Sequence, residues 1–335
     1  MKIYCILFDT CPQHKEIEDL FKAKGLHYCD YITNSFTTTS LVSLFSGNTP
    51  SEMYPKGIGY YGTYRLLLSP EEKAEWNKKM IFNNLPEDWK IHLHGDKNNY
   101  SFIPDECCGI DRGYSEYIYT PDVNEKDFLL QMQNLPSDEN HFIVLKYNHY
   151  HDAVDQRTPY SDAVNKFMDL INAIDFEEDN SLFWLFSDHG IPPNIDSLMS
   201  PPHSWLTWVS VTDNITKKKV TKSKMYVLDF YNTIMNRVFK KDLPNDILDD
   251  FDYDKIYVTE DGRSAVDHMF SSCISAIKCL KDNKYVQFAY NKKQNIHRTI
   301  LYDNKTQEAS VVPTDDGLVS HVAAVGSPWS WYFND

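Results

Sequence analysis

Three stretches of this chain are apolar almost without interruption and end in polar residues of the kind that bind ligands. Ile3-Tyr4-Cys5-Ile6-Leu7-Phe8 runs into Asp9-Thr10. His141-Phe142-Ile143-Val144-Leu145-Lys146-Tyr147 precedes His149 and His151. Leu182-Phe183-Trp184-Leu185-Phe186 runs into Ser187-Asp188-His189-Gly190. A strand with one wet face alternates apolar and polar residues. One that does not alternate is covered on both faces, as strands of parallel or mixed sheets are. Trp205 to Val211 reads as a fourth such strand, with His203 just before it.

Helical spacing separates these runs. Glu16 to Lys24 carries Ile17, Leu20 and Phe21 on one face and stops at Gly25. Thr39 to Phe45 is ended by Gly47 and Pro50. One helix is expected near 70–80, and Met225 to Phe239 reads as another. Asp162 to Ile174 places Val164, Phe167, Met168 and Ile171 together. Strands alternating with helices predict an α/β fold, an α/β/α sandwich around a mixed, mostly parallel sheet. Near the C-terminus, Tyr285-Val286-Gln287-Phe288-Ala289-Tyr290 and Thr299-Ile300-Leu301-Tyr302 predict a small antiparallel sheet. The expected organisation is a catalytic core over 1–250 and a C-terminal antiparallel subdomain over 251–335 packed on it. Residues 51–140, rich in Tyr, Asn and Pro, read as loops and short helices that shape a substrate pocket.

Composition narrows the partners. The 335 residues hold 33 Lys+Arg against 48 Asp+Glu, a formal charge of -15. A surface this acidic argues against binding a nucleic-acid polymer or an anionic membrane, though not against one small anion held at a metal. No apolar run approaches the roughly 18 residues of a membrane span. Asp9 cuts the first apolar run too short for a signal peptide. The seven Cys (5, 11, 29, 107, 108, 273 and 279) are scattered and form no CxxC pair, which reads as reduced thiols in a cytoplasmic protein.

In open α/β sheets, ligands bind beyond the carboxyl ends of the strands. Asp9, Asp188-His189 and the His149/His151 pair all fall there. An Asp after a strand is by itself most simply a turn or cap residue. Asp-His-Gly is more specific, since both side chains ligate metals and Gly permits a sharp turn. A second element, Asn34-Ser35-Phe36-Thr37-Thr38-Thr39-Ser40, crowds hydroxyls at a helix start. They serve there either as caps or as a nucleophile in a site that favours anions. A Thr hydroxyl needs a metal or a base to become a nucleophile.

Taken in order, these segments resemble the alkaline phosphatase/sulfatase superfamily. The order is strand–Asp9, Thr37 with Gly47 ten residues on, Phe142 to Leu145 leading to His151, and Ser187-Asp188-His189-Gly190. His203 then precedes Trp205-Leu206-Thr207-Trp208-Val209. Leu228-Asp229-Phe230-Tyr231-Asn232-Thr233-Ile234 and Ile300-Leu301-Tyr302-Asp303 follow, and Asp169 lies in the helix where these proteins often carry Asp. The resemblance spans most of the chain. It is similar to nucleotide pyrophosphatase/phosphodiesterase members, which carry Thr at the nucleophile position, and to phosphoethanolamine transferase members. The chain has Thr37 where sulfatases have Cys or Ser, Leu41 where their motif has Arg, and a single Asp9 followed by Thr10 where they have two Asp.

The resemblance implies a metal-dependent phosphoester or phosphodiester hydrolase acting on a small anionic ester through a phospho-threonine at Thr37. Asp9, Thr37, Asp188 and His189 would hold one metal. The mixed oxygen and nitrogen donors suit zinc or manganese better than calcium or magnesium. Tyr147 stands where two-metal members add an Asp. His151 and His203 therefore either hold a second ion, with Asp152 or Asp155, or contact the phosphate and protonate the leaving group. Alternatives are a phosphoethanolamine-type transferase to a glycan or other alcohol, a sulfatase-like sulfuric ester hydrolase, and a non-catalytic binding member. Oligomeric state is not assigned.

The remaining polar residues have plainer readings. His149 is expected to point away from the face of His151, as strand-like neighbours do. Lys146 and Arg157 are expected in surface pairs, His92 and His94 as structural residues, and Cys11 as a small buried one. Trp205, Trp208, Trp329, Trp331 and Tyr332 read as packing, and Lys217-Lys218-Lys219 as a solvated loop.

Overall fold

The central strands form where the chain is continuously apolar. In the computed structural model of the protein, which describes all residues except 35–36, 54–68, 96–116, 120–123, 155, 191–201, 262–272, 292–295 and 327–335, eight strands build one sheet. They are β1 (Lys2–Phe8), β2 (Cys29–Ile32), β3 (Trp89–His94), β4 (Tyr117–Tyr119), β5 (Asn140–Tyr147), β6 (Ser181–Phe186), β7 (Leu206–Asp213) and β8 (Lys224–Tyr226). Their order is β4-β3-β5-β1-β6-β7-β2-β8. β1 lies parallel to both β5 and β6, with Phe8 opposite Tyr147 and Leu7 opposite Phe186. Only β7 breaks the parallel pattern, pairing antiparallel with β6 and with β2.

Eleven helices are described: α1 (Lys15–Ala23), α2 (Thr37–Ser46), α3 (Pro50–Met53), α4 (Pro70–Lys79), α5 (Ile81–Asn84), α6 (Glu125–Gln133), α7 (His149–Val154), α8 (Tyr160–Ala173), α9 (Pro202–Trp205), α10 (Asp229–Phe239) and α11 (Asp316–Gly326). Alternate residues of β1 feed two separate cores, as a strand buried on both faces requires. Ile3, Cys5 and Leu7 pack with Leu41, Val42 and Phe45 of α2 and with Phe230 and Ile234 of α10. Tyr4, Ile6 and Phe8 pack with Ile17 and Phe21 of α1, Phe128 of α6 and Phe167 of α8. The result is the expected α/β/α sandwich. Trp205 and Trp208 are fully buried within it, while Trp329, Trp331 and Tyr332 lie outside the described residues.

α2 ends at Gly47, which adopts φ 67°. A Cβ there would approach Cδ1 of Tyr231, on α10, to 2.5 Å. Glycine therefore serves twice at this point, as a left-handed terminator and as a close approach.

A second sheet of β9 (Ile256–Asp261), β10 (Cys273–Cys279), β11 (Lys284–Asn291), β12 (Ile296–Asp303) and β13 (Glu308–Val311) is antiparallel throughout. A buried polar knot ties it to the edge of the main sheet. Lys224 Nζ donates to Asp30 Oδ2 at 3.0 Å and to the Tyr285 hydroxyl at 2.7 Å, and that hydroxyl donates to Asp30.

Several local expectations are corrected. The segment from Met225 to Phe239 divides into the end of β8 and helix α10, because buried Asp229 accepts from the Tyr226 N–H at 3.1 Å and pairs with Lys222 at 3.0 Å. Trp205 closes a short helix, and the strand starts at Leu206. The chain also forms β2, β3 and α6, which periodicity alone did not single out. The C-terminal segment adds helix α11, which packs Leu318 and Val322 into the core. No helix among the described residues is long and apolar enough to cross a membrane.

Candidate metal centre and active site

Strand order decides which polar ends meet. β5, β1 and β6 are neighbours, so Asp9 after β1 and Asp188-His189 after β6 emerge side by side. Asp9, Asp188 and His189 are all buried, and each offers one ligand atom within 4.8 Å of the others. His189 Nε2 lies 3.7 Å from Asp9 Oδ1 and 3.5 Å from Asp188 Oδ2. Thr37, the first residue of α2, completes the cluster. Its Oγ1 is 3.1 Å from His189 Nε2 and 3.5 Å from Asp9 Oδ1.

These residues fit a divalent cation on two observations. Asp188 Oδ2 is buried and has no hydrogen-bond partner among the described residues. A carboxylate oxygen left so in a dry site is costly unless a cation completes it. His189 Nδ1 sits 2.7 Å from the carbonyl of Gly190. That contact calls for a proton on Nδ1, so Nε2 presents its lone pair to the cluster, as a metal-ligating imidazole does.

The loops carrying these groups are fastened by hydroxyls. Ser40 donates to the carbonyl of Asp188 at 2.7 Å, Ser187 to that of His189 at 2.8 Å, and Thr207 to that of Ser187 at 3.0 Å. Ser40, one of the hydroxyls crowded at the start of α2, thus acts as a brace. Gly190 is needed for a different reason: a Cβ on it would fall 1.8 Å from the carbonyl oxygen of His203.

Lys146 overturns an expectation. It is not at the surface. It is fully buried on β5, and its Nζ pairs with Asp9 Oδ2 at 2.7 Å. Burial pushes the Asp9 carboxyl up, but the ammonium of Lys146, with help from His189 and His151, holds it well below the usual carboxylate range. Asp188 has no such partner, and burial, with the adjacent Asp9 charge, raises it despite His189. A lone Lys inside an otherwise apolar strand was the available signal, since a buried ammonium is found only where it is paired.

The other histidines take separate places. His149 and His151 lie on a helix, α7, and not on strand-like backbone, so the alternation reasoning does not hold there. His149 Nε2 pairs with Glu125 Oε1 at 3.2 Å. His151 is half-buried and stands outside the set of mutually close ligand atoms. His203 is exposed on α9. Asp155, suggested with it for a second ion, lies outside the described residues. His92 is buried against His141, Nε2 to Nδ1 at 3.0 Å, and His94 stacks on Phe128. Exposed Arg157 faces Asp152 at 3.4 Å, as a surface pair does. Cys5, Cys11, Cys29 and Cys279 are buried and unpaired.

No family model matches the sequence, and no curated protein does either. A solved structure does match in shape. A protein in the alkaline phosphatase superfamily from Vibrio parahaemolyticus superposes with a TM-score of 0.54 at 11% identity, covering 99% of this chain and 87% of that one. A protein from Pyrococcus horikoshii aligns with a TM-score of 0.42 at 11% identity over 72% of this chain and 98% of its own. The chain has the fold of an alkaline phosphatase superfamily protein, with three buried side chains able to hold a metal gathered beyond the carboxyl ends of its central strands.

Proposed function

We propose that the protein is a metal-dependent phosphoester or phosphodiester hydrolase that works through a covalent phospho-threonine at Thr37. The observation that carries this reading is the position of Thr37 Oγ1, 3.1 Å from His189 Nε2 and 3.5 Å from Asp9 Oδ1, at the edge of a buried cluster with an orphaned carboxylate oxygen. A zinc or manganese ion held by Asp9, Asp188 and His189 would lower the pKa of the Thr37 hydroxyl and offset charge gathering on the phosphoryl oxygens.

The protein's own groups do the rest. With its hydroxyl proton released to solvent under the lowered pKa, Thr37 Oγ1 attacks phosphorus in line. The Oγ1–P bond forms as the bond to the leaving oxygen breaks, and the leaving oxygen takes a proton from His151 or His203. In the second half, water gives its proton to that histidine and attacks phosphorus. The Oγ1–P bond breaks, and Thr37 leaves as the oxyanion that opened the cycle. Lys146 supplies a fixed positive charge at Asp9 where a second metal would otherwise be needed, which supports a single metal site. The substrate is a small anionic ester, drawn into an acidic protein by this local reversal of sign. The buried unpaired thiols support a reducing, cytoplasmic setting.

The test is a screen of aryl phosphate mono- and diesters, phosphonates and sulfates, with zinc and manganese each added back. Phosphoester turnover is expected. Thr37→Ala should lower it by roughly three orders of magnitude or more. Label from a phosphate ester should be trapped on the wild type and not on the variant. Preference for a sulfate refutes the phosphoester assignment, and wild-type turnover by Thr37→Ala refutes the covalent scheme. Product carried on an added alcohol would move the protein to the transferases. Metal-stripped protein should lose substrate binding together with turnover.

A further inference from the structure

Thr10 has φ 59° and is buried, at 1% exposure. The other non-glycine residues with positive φ among those described are Asn, Asp, Gln and Lys, none of them β-branched. A β-branched side chain in the left-handed region is a genuine outlier, and such conformations persist only where the surroundings over-determine them. Here they do. The Asp9 N–H donates to the Tyr147 carbonyl at 3.0 Å, and the Cys11 N–H to the Phe8 carbonyl at 3.3 Å, so both sides of Thr10 are pinned.

The turn has two products. The Thr10 N–H donates to Asp188 Oδ1 at 3.2 Å, and its hydroxyl donates to Asp9 Oδ1 at 2.8 Å. One residue therefore grips both carboxylates of the cluster, which come from different strands. Lys146 holds the far oxygen of Asp9, and the N–H of Thr10 holds one oxygen of Asp188. This leaves Asp9 Oδ1 and Asp188 Oδ2 facing His189 Nε2.

We propose that Thr10 is a positioning residue of the metal centre: its left-handed turn and its hydroxyl together hold Asp9 and Asp188 in the orientation in which they share a cation. The proposal rests on the metal reading above. It assigns to Thr10 the orienting role that groups behind first ligands play, whose loss typically weakens metal binding by about 10–100-fold.

The experiment is a zinc titration of the purified full chain against a chromophoric chelator, with the melting temperature of the metal-free form measured alongside. Thr10→Ser keeps the hydroxyl and the N–H and removes the branch. It should bind zinc within about threefold of wild type and melt no lower. Thr10→Val keeps the branch and loses the hydroxyl; it should bind zinc about 10–100-fold more weakly. Thr10→Ala replaces it if the Val variant does not fold. Asp188→Asn reads the metal assignment itself and should lose the site. If Thr10→Val, or Ala in its place, melts lower yet binds zinc as tightly as wild type, Thr10 is merely structural and the proposal falls alone. Weak zinc binding by Thr10→Ser overturns it too. Equal zinc binding by wild type and Asp188→Asn overturns the metal reading and the proposal with it.

Discussion

Replacing Lys146 by Met leaves the Asp9 carboxylate buried beside Asp188 with its 2.7 Å partner gone. Breaking a buried ion pair by removing one member costs about 3–5 kcal/mol, because the remaining charge is stranded. At about 2.1 cal/mol/K per residue, 335 residues give an unfolding entropy of ~0.7 kcal/mol/K, so a cooperative melt should fall by ~4–7 °C. The measurement is a thermal melt in chelator at neutral pH, repeated across the acid range. In the wild type the folded pKa of Asp9 is depressed, so its contribution is present above the ordinary carboxylate value and is lost as pH falls through the depressed one. In Lys146→Met, burial is opposed only by the weaker influence of His189 and His151, and Asp9 moves up. Its carboxylate then costs stability at neutral pH, and the cost shrinks as acid neutralises it. The gap between the two proteins should therefore close on acidification. Adding Asp9→Asn to the variant should recover at least about half the loss, since no buried charge is then stranded. A Lys146→Met melt within a degree of wild type, or no recovery in the double variant, would show that this ammonium is not what neutralises Asp9.

Gly190→Ala puts a Cβ 1.8 Å from the His203 carbonyl oxygen, a backbone atom that cannot swing away. Overpacking of this kind costs about 1–3 kcal/mol and should displace His189, read as a lower melt and weaker zinc binding in one titration. His92 is lowered to about 4, by burial first and then by His141 and Lys90, with Glu139 opposing. The unfolded chain thus takes up this proton first, and the stability it represents is lost as pH falls from about 6.5 toward about 4. His92→Gln should flatten the melting-temperature profile in that window, and an unchanged slope would assign acid lability elsewhere.

Much of this protein is legible in its amino-acid sequence. Continuous apolarity in Ile3 to Phe8, Phe142 to Leu145 and Leu182 to Phe186 can only be satisfied by strands covered on both faces, and the residues that end those strands are the ones with chemistry. Burial free energy is summed locally along the chain, so the core strands, α1, α2, α8 and the antiparallel C-terminal sheet show themselves in sequence. Other elements lack that signature. β2 is short, β3 carries two histidines and a lysine, and α6 has too few apolar positions to stand out. The end of β8 merges into α10 because Asp229 finds its partners in Lys222 and the Tyr226 N–H, a matter of tertiary placement.

The site divides the same way. Asp9, Thr37, Asp188 and His189 are recognisable by type and order, because a cation needs donors of those kinds at strand ends. That Lys146 neutralises Asp9 and that Thr10 grips both carboxylates are decided only by strand order. β5 and β6 flank β1 although both lie more than a hundred positions from it along the chain. Ion pairs and hydrogen bonds depend on distance through space, and no local pattern along the chain encodes which strand becomes whose neighbour.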